Sequence, residues 1–212
     1  IERPQNLIHQ LKAEHKFDYT RIHYGLALIL WGIFKKVVIA DRLSILVDTI
    51  YGDVHGFSGF PLIIATVFFA FQIYCDFSGY TDIAIGAAQI LGVRLMDNFR
   101  RPYFSQSIGE FWKRWHISLS SWFKDYLYIP LGGNRVKIPR WYFNLFFVFL
   151  ISGLWHGASW TFIIWGALHG VYLILGIVTS PLREKIKDKL RIPRKLDIAI
   201  KVVITFILVN IG

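Results

Sequence analysis

The stretch SGLWHGASWTFIIWGALHG, from Ser152 to Gly170, contains two histidines but no Asp, Glu, Lys or Arg. It lies within residues 141–182, a longer segment that also lacks these four residue types. As a helix rising 1.5 Å per residue, that segment would be roughly 63 Å long, about twice the hydrocarbon core of a bilayer. It therefore predicts a hairpin of two membrane helices with ionisable imidazoles inside it.

Gly153 and Gly157, on either side of His156, indicate where the hairpin is interrupted. Glycine permits a close approach of two backbones or a break in a helix. The first arm, residues 141–155, is short for a full crossing, so we expect it to stop inside the protein near membrane depth. Because basic segments flank the hairpin, the simplest topology places both of its ends in the cytoplasm.

The composition is typical of a membrane protein. Hydrophobic residues make up 54% of the chain and charged residues 18%, whereas soluble domains carry about 25% charged residues. The net charge of +10 is concentrated in residues 94–140 and 183–201, between the apolar segments. Cytoplasmic loops carry Lys and Arg in such places, so the basic balance does not indicate nucleic acid as a partner. With Cys75 as the single cysteine, no internal disulfide is possible, and we expect no metal site.

The first fifty residues predict helices of three kinds. Residues 1–21 have apolar residues at roughly helical spacing and predict an interfacial or cytosolic helix. Residues 22–34 are apolar but short for a span, and Lys35 and Lys36 at their end could reach an interface with their long side chains. Residues 37–50 show the pattern of an amphipathic helix.

The second apolar segment, residues 61–93, contains two carboxylates. Asp76 and Asp82 lie at or near membrane depth, around a break that we predict at Ser78 and Gly79. Carboxylates at such depth are costly, and they are usually paired or functional. One interpretation is that both bond backbone amides that the break sets free. The other is that Asp76 belongs to a substrate-binding site.

Residues 96–140 mix charges with many aromatic residues and do not form a lipid-facing span. Ser107 and Glu110 have capping-box spacing, which predicts an aromatic-rich helix that starts near Ile108 and includes FWKRWHISLSSWF. Such a segment must be buried against protein, re-entrant or interfacial. The sequence IPLGGNR that follows predicts a turn.

Two histidines are candidates for chemistry. The neutral imidazole that burial would favour at His156 can accept a proton from a hydroxyl, but a buried histidine can also be purely structural. His116 either belongs to an interfacial aromatic belt or lines a cavity whose nearby cations would attract an anionic ligand. His169, about 220° round an ideal helix from His156, is interpreted as structural.

Three motifs resemble the membrane-bound O-acyltransferase family, and most closely its alginate O-acetyltransferase branch. They are QIYCDFSGYTDIAIG, NFRRPYFSQSIGEFWKRWHISLSSWFKDYLYIPLGGNR and SGLWHGASWTFIIWGALHG. The resemblance covers residues 34–172, and the D-alanyl transfer protein of teichoic-acid modification looks like a more distant relative. It implies an all-α, polytopic membrane protein with transmembrane, re-entrant and interfacial helices around a central tunnel.

The resemblance also implies an activity. The catalytic histidine of the family matches His156, and a second, less uniform histidine matches His116. The implied reaction moves an acetyl group from a cytosolic thioester, such as acetyl-CoA, toward hydroxyls of an extracytoplasmic polysaccharide such as alginate, directly or through an acetyl-accepting partner protein. The implied location is the bacterial inner (plasma) membrane, in contact with lipid, and no permanently bound cofactor is implied.

Acyl transfer of this kind needs two sorts of binding group. The developing negative charge on the thioester carbonyl needs a hydrogen-bond donor, for which His116, Asn144 and Trp155 are the candidates. The phosphates of coenzyme A need cations. Alternatively, the basic residues near His116 only set the orientation of the protein in the membrane. The candidate cations are Lys113, Arg114, Lys124 and Arg135.

Two other interpretations are open. In the first, the intramembrane His and Asp residues form the ionisable chain of a transporter or proton relay, which would suit broken helices. In the second, both candidate histidines are packing residues only. Because residue 1 is not methionine and residue 212 lies in an apolar segment, we expect residues 1–212 to be an internal fragment of a single domain, truncated at both termini.

Overall fold

The computed structural model describes residues 1–212 and is helical throughout, without a β-strand. It divides into two compact units, residues 1–98 and residues 99–212. The first contains α1 (Pro4–Leu11), α2 (Tyr19–Ile33), a π-helical segment (Phe34–Ala40), α3 (Asp41–Gly52) and α4 (Phe60–Ile90). The second contains a 3₁₀ turn (Pro102–Phe104), α5 (Ile108–Arg114), α6 (Ile117–Phe123), a π-helical segment (Lys124–Tyr128), α7 (Ile138–His156), α8 (Trp160–Val178), α9 (Ser180–Leu190) and α10 (Arg194–Ile211).

Four helical segments are long and apolar enough to cross a membrane. They are Tyr19–Gly52, Phe60–Ile90, Ile138–His156 and Trp160–Val178. The all-α, polytopic fold class is thereby confirmed. α10 covers the apolar segment that ends at residue 212, but four charged residues lie among its first eight positions.

The N-terminal segment is less helical than predicted. α1 ends at Leu11, and a second helix begins only at Tyr19, where Asp18 caps it by accepting a hydrogen bond from the amide of Arg21. α1 is held by side chains that bond an extended backbone segment. Gln10 accepts from the amide of Arg94 at 2.8 Å and donates to the carbonyl of Arg94 at 2.9 Å.

The first hairpin, formed by Tyr19–Gly52 and α4, is packed through glycines. A Cβ added at Gly32 would lie 2.6 Å from the carbonyl oxygen of Gly79, and one added at Gly25 would lie 2.8 Å from that of Gly86. The two pairs are seven residues apart on each helix and run in opposite directions, so the helices are antiparallel. Small residues allow this backbone approach, from which membrane helices gain van der Waals contact.

α4 runs from Phe60 to Ile90 as one helix, so the predicted break at Ser78 and Gly79 is wrong. The small residues there admit the opposite helix instead of interrupting their own. Lys35 reaches across the interface, donates to the hydroxyl of Ser78 at 3.0 Å and forms an ion pair with Asp82 at 2.7 Å. Asp82 is therefore paired with a cation and not with freed backbone amides.

The two lysines of this region differ from each other. Lys35 is 7% exposed and ends in the interface, so the prediction that it reaches an interface with water is wrong for this residue. Lys36 is more exposed and pairs with Asp76 at 2.6 Å and with Asp41 at 2.9 Å. The apolar residues 22–34 are not a short isolated element, because the helix continues through the π-helical segment to Gly52.

The second hairpin is formed by α7 and α8 and turns at Gly157, as predicted. A Cβ added at Gly153 would lie 3.3 Å from the Cα of Gly166 and would overlap the carbonyl oxygen of Phe162. α7 begins at Ile138, before the apolar segment, because Pro139 suits a first helical turn and Arg140 lies over the ring of Phe143 at 5.0 Å. At 19 residues, or about 28 Å, the first arm is longer than predicted and approaches the length of a full crossing.

α9 and α10 are joined by a cluster of four charges. Lys201 contacts Asp197 at 3.0 Å and Glu184 at 3.1 Å, and Lys187 contacts both carboxylates at 3.4 Å. Each of the two carboxylates therefore contacts two ammonium groups, and the basic segment 183–201 lies on a pair of helices.

Candidate active site

The site begins with the predicted capping box. The hydroxyl of Ser107 accepts a hydrogen bond from the amide of Glu110 at 3.1 Å, and α5 starts at Ile108 as expected. The carboxylate of Glu110 accepts from the amide of Gln106 at 2.7 Å and also pairs with Arg114. These bonds fix the first turn of α5 and direct its aromatic face into the unit, where Phe111 is buried.

The predicted single helix is broken at His116. Trp115 is extended, and His116 has a left-handed backbone with φ +47° and ψ +54°, after which α6 starts at Ile117. Neither proline nor glycine lies at the break, so the sequence gives little indication of it. The one weak signal is His116 itself, because histidine tolerates the left-handed backbone region better than most residues do. The left-handed conformation costs about 1–2 kcal/mol, and such strain is often found at functional sites.

His116 is held in a buried position between the two short helices. Its side chain is 9% exposed, and its Nδ1 lies 3.4 Å from the hydroxyl of Ser118. Burial lowers the pKa of His116 to about 4, and the nearby His156 contributes in the same direction. His116 is therefore a neutral imidazole at physiological pH, able to donate from one ring nitrogen and accept at the other.

His156 is the last residue of α7, followed by the extended Gly157. Three aromatic rings surround it: Trp155 at 5.1 Å, Trp165 at 5.0 Å and Phe162 at 6.0 Å between ring centroids. His156 is exposed and not buried as its place in the apolar segment predicts, because α7 ends there.

One cavity brings the two histidines together. It has a volume of about 240 Å³ and lies among α5, α6, the following π-helical segment, α7 and α8. Leu145, Val148, Ser152 and His156 line it from one face of α7, over about 16 Å of helix. His116 lines it from the break between α5 and α6. Most other lining residues are apolar or aromatic: Trp112, Trp115, Leu119, Phe123, Tyr128, Phe149 and Leu173.

The four candidate cations fall into two groups. Lys113 and Lys124 line the cavity and are exposed, so their ammonium groups are available to an anionic ligand. Arg114 is paired with Glu110, and Arg135 lies in the exposed loop before α7, outside the cavity lining.

The remaining predicted residues have other surroundings. Asn144 is fully buried and donates from its amide nitrogen to the carbonyls of Leu131 and Gly133, both at 3.1 Å. It holds the turn around Gly132 and Gly133 against α7, and both N–H groups of its side chain are engaged in these two hydrogen bonds. Trp155 is 53% exposed and lies 6.2 Å from the ring of His116. Asp76 belongs to residues 1–98, where Lys36 is its partner.

Four residues outside the predicted site residues also line the cavity. Ser152 lies one helical turn before His156, and this spacing already indicates from the sequence that it is a possible partner of His156. Trp112, Ser120 and Tyr128 also line the cavity. Tyr128 accepts a hydrogen bond from the indole of Trp141 at 2.8 Å, a contact over thirteen positions that no local pattern indicates.

The cavity thus brings together two histidines, two cations and apolar walls inside a helical membrane protein. The model of the MBOAT, membrane-bound O-acyltransferase family, matches residues 4–210. The chain therefore belongs to the membrane-bound O-acyltransferase family.

Individual relatives support this assignment. The chain is 48% identical over 188 residues to a probable alginate O-acetylase of Pseudomonas aeruginosa, a match that covers 89% of this chain and 34% of the relative. It is 48% identical over 162 residues to a peptidoglycan O-acetyltransferase of Helicobacter pylori, covering 76% of this chain. It is 35% identical over 180 residues to a teichoic acid D-alanyltransferase of Bacillus subtilis, covering 76% of this chain and 43% of the relative. The chain spans about a third of the length of the alginate O-acetylase.

Proposed function

We propose that this chain carries the catalytic histidines of a membrane-bound O-acetyltransferase. The enzyme moves an acetyl group from a cytosolic thioester, such as acetyl-CoA, to hydroxyls of an extracytoplasmic polysaccharide such as alginate, directly or through a partner protein. The proposed location is the bacterial inner membrane, and the proposed route for the substrates is a tunnel past His156. Similarity to relatives named as O-acetylases and O-acetyltransferases supports acetyl as the transferred group.

The observation that carries the proposal is the shared cavity of His116 and His156. The two residues are forty positions apart and lie on different elements, yet both line one space. A purely structural role would not require both imidazoles to face the same cavity. The apolar walls of the cavity limit the access of water, which would otherwise hydrolyse the thioester before the acyl group is transferred.

In the proposed mechanism His156 is the general base. A ring nitrogen of His156 takes the proton of the acceptor hydroxyl while the hydroxyl oxygen forms a bond to the thioester carbonyl carbon. The resulting tetrahedral oxyanion collapses, the carbon–sulfur bond breaks, and the thiolate receives the proton from His156. The products are the acetyl ester and the free thiol, and the imidazole is neutral again.

We assign stabilisation of the oxyanion to His116. Of the three candidate donors, Asn144 has both amide N–H groups engaged with loop carbonyls. In the tautomer in which Nδ1 of His116 accepts from the Ser118 hydroxyl, 3.4 Å away, the ring carries its proton on Nε2, and we assign this tautomer to the donation toward the oxyanion. Trp155, beside both histidines, is the second donor candidate.

The donor thioester is proposed to bind along the face of α7 that lines the cavity. Lys113 and Lys124 line the cavity and would hold the phosphates of the donor. The apolar lining suits the pantetheine arm, with the thioester next to His156. Arg114 and Arg135 have no part in this proposal, because one is paired and the other lies outside the cavity lining.

The test is His156→Ala in the enzyme expressed at the normal level in its membrane. Because the general base is lost, we expect acetyl transfer to fall by about 10²–10⁴-fold. Mass spectrometry of exported glycans measures acetyl esters and identifies the acceptor. The matched control is His55→Ala, which removes an exposed histidine from the loop before α4. Normal ester content in cells with His156→Ala would refute the proposal.

The alternative of a transporter or proton relay has less support. It relied on broken helices and on free carboxylates, but α4 is continuous, and Asp76 and Asp82 are paired with Lys36 and Lys35. Reconstituted protein that transfers labelled acetyl from coenzyme A to a sugar acceptor without an ion gradient would exclude it.

A further inference from the structure

His169 is the most buried histidine of the chain and has no place in the mechanism above. It is 1% exposed and lies on α8 among three aromatic rings. The centroid distances are 4.9 Å to Trp165, 5.0 Å to Trp112 and 5.9 Å to Tyr172. Its ring thus lies at the centre of an aromatic cluster inside the second unit.

Trp165 connects this cluster to the catalytic histidine. The centroid of its ring lies 4.9 Å from that of His169 and 5.0 Å from that of His156, and both contacts have the edge-to-face arrangement. On one ideal helix, His156 and His169 would lie on different sides. The turn at Gly157 removes that separation, since the two residues lie on different helices.

Aromatic contacts are the main restraint on His156. The residue ends α7, its ring is exposed, and no hydrogen bond of the chain involves its ring nitrogens. Of its three aromatic neighbours, Trp155 and Phe162 are themselves exposed. Trp165 is the least exposed of the three, and His169 packs edge to face against it.

His169 also supports the wall of the cavity. Trp112 lines the cavity and packs edge to face on His169, on Phe149 and on Trp165. His169 therefore contacts one residue that touches the general base and one residue that bounds the substrate space.

We propose that His169 is a positioning residue of the acyl-transfer reaction, acting through Trp165 on the ring of His156 and through Trp112 on the cavity wall. The role of His169 in the reaction rests on the proposed function, whereas its effect on the position of the His156 ring does not. Removing the ring would let Trp165 move, and a displacement of about 1 Å at a reacting group can cost up to 10²-fold in rate.

The means is packing of the ring and not a hydrogen bond. Nδ1 of His169 and Nε1 of Trp112 are both buried and have no hydrogen-bond partner. A planar ring of similar size should therefore replace the imidazole. His169→Phe should retain the function that His169→Ala loses.

The experiment compares three variants of the protein in lipid nanodiscs. For His169→Ala we expect kcat to fall about tenfold while KM for acetyl-CoA changes by no more than about twofold, because the ring of the general base is displaced whereas the lysines proposed to hold the donor's phosphates are not. His169→Phe should restore kcat to near the wild-type value. The control Phe146→Ala removes a ring that contacts Gly170 in the same α7–α8 interface but does not line the cavity. It should leave kcat per folded molecule unchanged.

A second measurement does not depend on activity. Diethyl pyrocarbonate modifies neutral imidazoles, and peptide mass spectrometry gives the rate at each histidine. We expect His169→Ala to change the rate at His156 beyond the variation between wild-type replicates, while His169→Phe and Phe146→Ala leave it unchanged.

The outcomes are separable. Wild-type protein without acetyl transfer would overturn the proposed function, and the modification rate at His156 would still decide the positioning role. Active wild-type protein with an unchanged kcat and an unchanged modification rate in His169→Ala would overturn the inference alone. A loss in His169→Ala that Phe146→Ala matches would also overturn it, since the effect would then belong to the interface in general.

Discussion

The first hairpin (Tyr19–Gly52 with α4) and the second hairpin (α7 with α8) use the same backbone packing but treat polar side chains differently. Both bring a glycine of one helix against the backbone of the other, at Gly32 and Gly79 in one and at Gly153 and Gly166 in the other. In the first hairpin the interface also holds a charged residue, Lys35, with protein partners for its ammonium group. In the second, His156 faces a cavity and His169 has an unpaired nitrogen.

The two hairpins show two roles of ionisable side chains, which are energetically costly to place inside a membrane protein. A buried charge that is paired fixes which residues of two helices face each other, and its partner leaves it unavailable to a substrate. An imidazole that faces a cavity keeps a lone pair or a proton available to a substrate. Burial alone therefore does not mark a functional residue; the identity of its neighbours does.

The largest effect that tests this comparison is expected at the ion pair. Lys35→Met leaves the largely buried carboxylate of Asp82, whose side chain is 22% exposed, without its partner, which should destabilise the protein by about 3–5 kcal/mol. The double variant Lys35→Met with Asp82→Leu removes both charges and should recover most of that loss. Thermal unfolding in detergent measures both, and acetyl transfer should follow the folded fraction.

A double variant as unstable as the single one would show that Lys35 acts through something other than its pairing with Asp82. A loss of kcat per folded molecule in Lys35→Met would contradict the purely structural role assigned to the first hairpin.

An intermediate effect is expected from adding one methyl group to each interface. Gly32→Ala and Gly153→Ala both push a Cβ against the opposite backbone, and each should destabilise by about 1–3 kcal/mol. Only Gly153→Ala moves α8, and with it Trp165, relative to His156. We expect it alone to lower kcat per folded molecule, which steady-state kinetics on quantified folded protein measures. Equal effects on kcat would remove the distinction between the hairpins.

The smallest effect is a pH dependence at His116. Its pKa of about 4 lies below the ordinary histidine value of about 6.5. Between these values the unfolded chain binds a proton that the folded chain does not, so stability is lost as the pH falls through this window. From pH 7.5 to pH 5.5 we expect a loss of about 1 kcal/mol that His116→Gln lacks. The same pH dependence in both proteins would mean that His116 is solvated.

Local patterns predicted local structure well. The capping residues at Ser107 and Glu110, the turn around Gly132 and the break at Gly157 all follow from side-chain or glycine preferences within a few positions. The apolar segments predicted membrane helices for the same reason, since length and composition suffice. Errors arose where a small residue had two uses: Gly79 could break its own helix or admit another, and only the partner helix decides.

For the site, the sequence by itself determined the family, and it predicted the two histidines and the nearby cations as site residues, because all of them lie in long ordered motifs. Only the tertiary structure decided that His116 adopts a left-handed backbone, that Asn144 binds the glycine turn, and that Lys35 pairs with Asp82. The physical reason is that these outcomes depend on groups that are distant in the chain. A residue's type fixes what it can bond, and the packing of helices fixes what it meets.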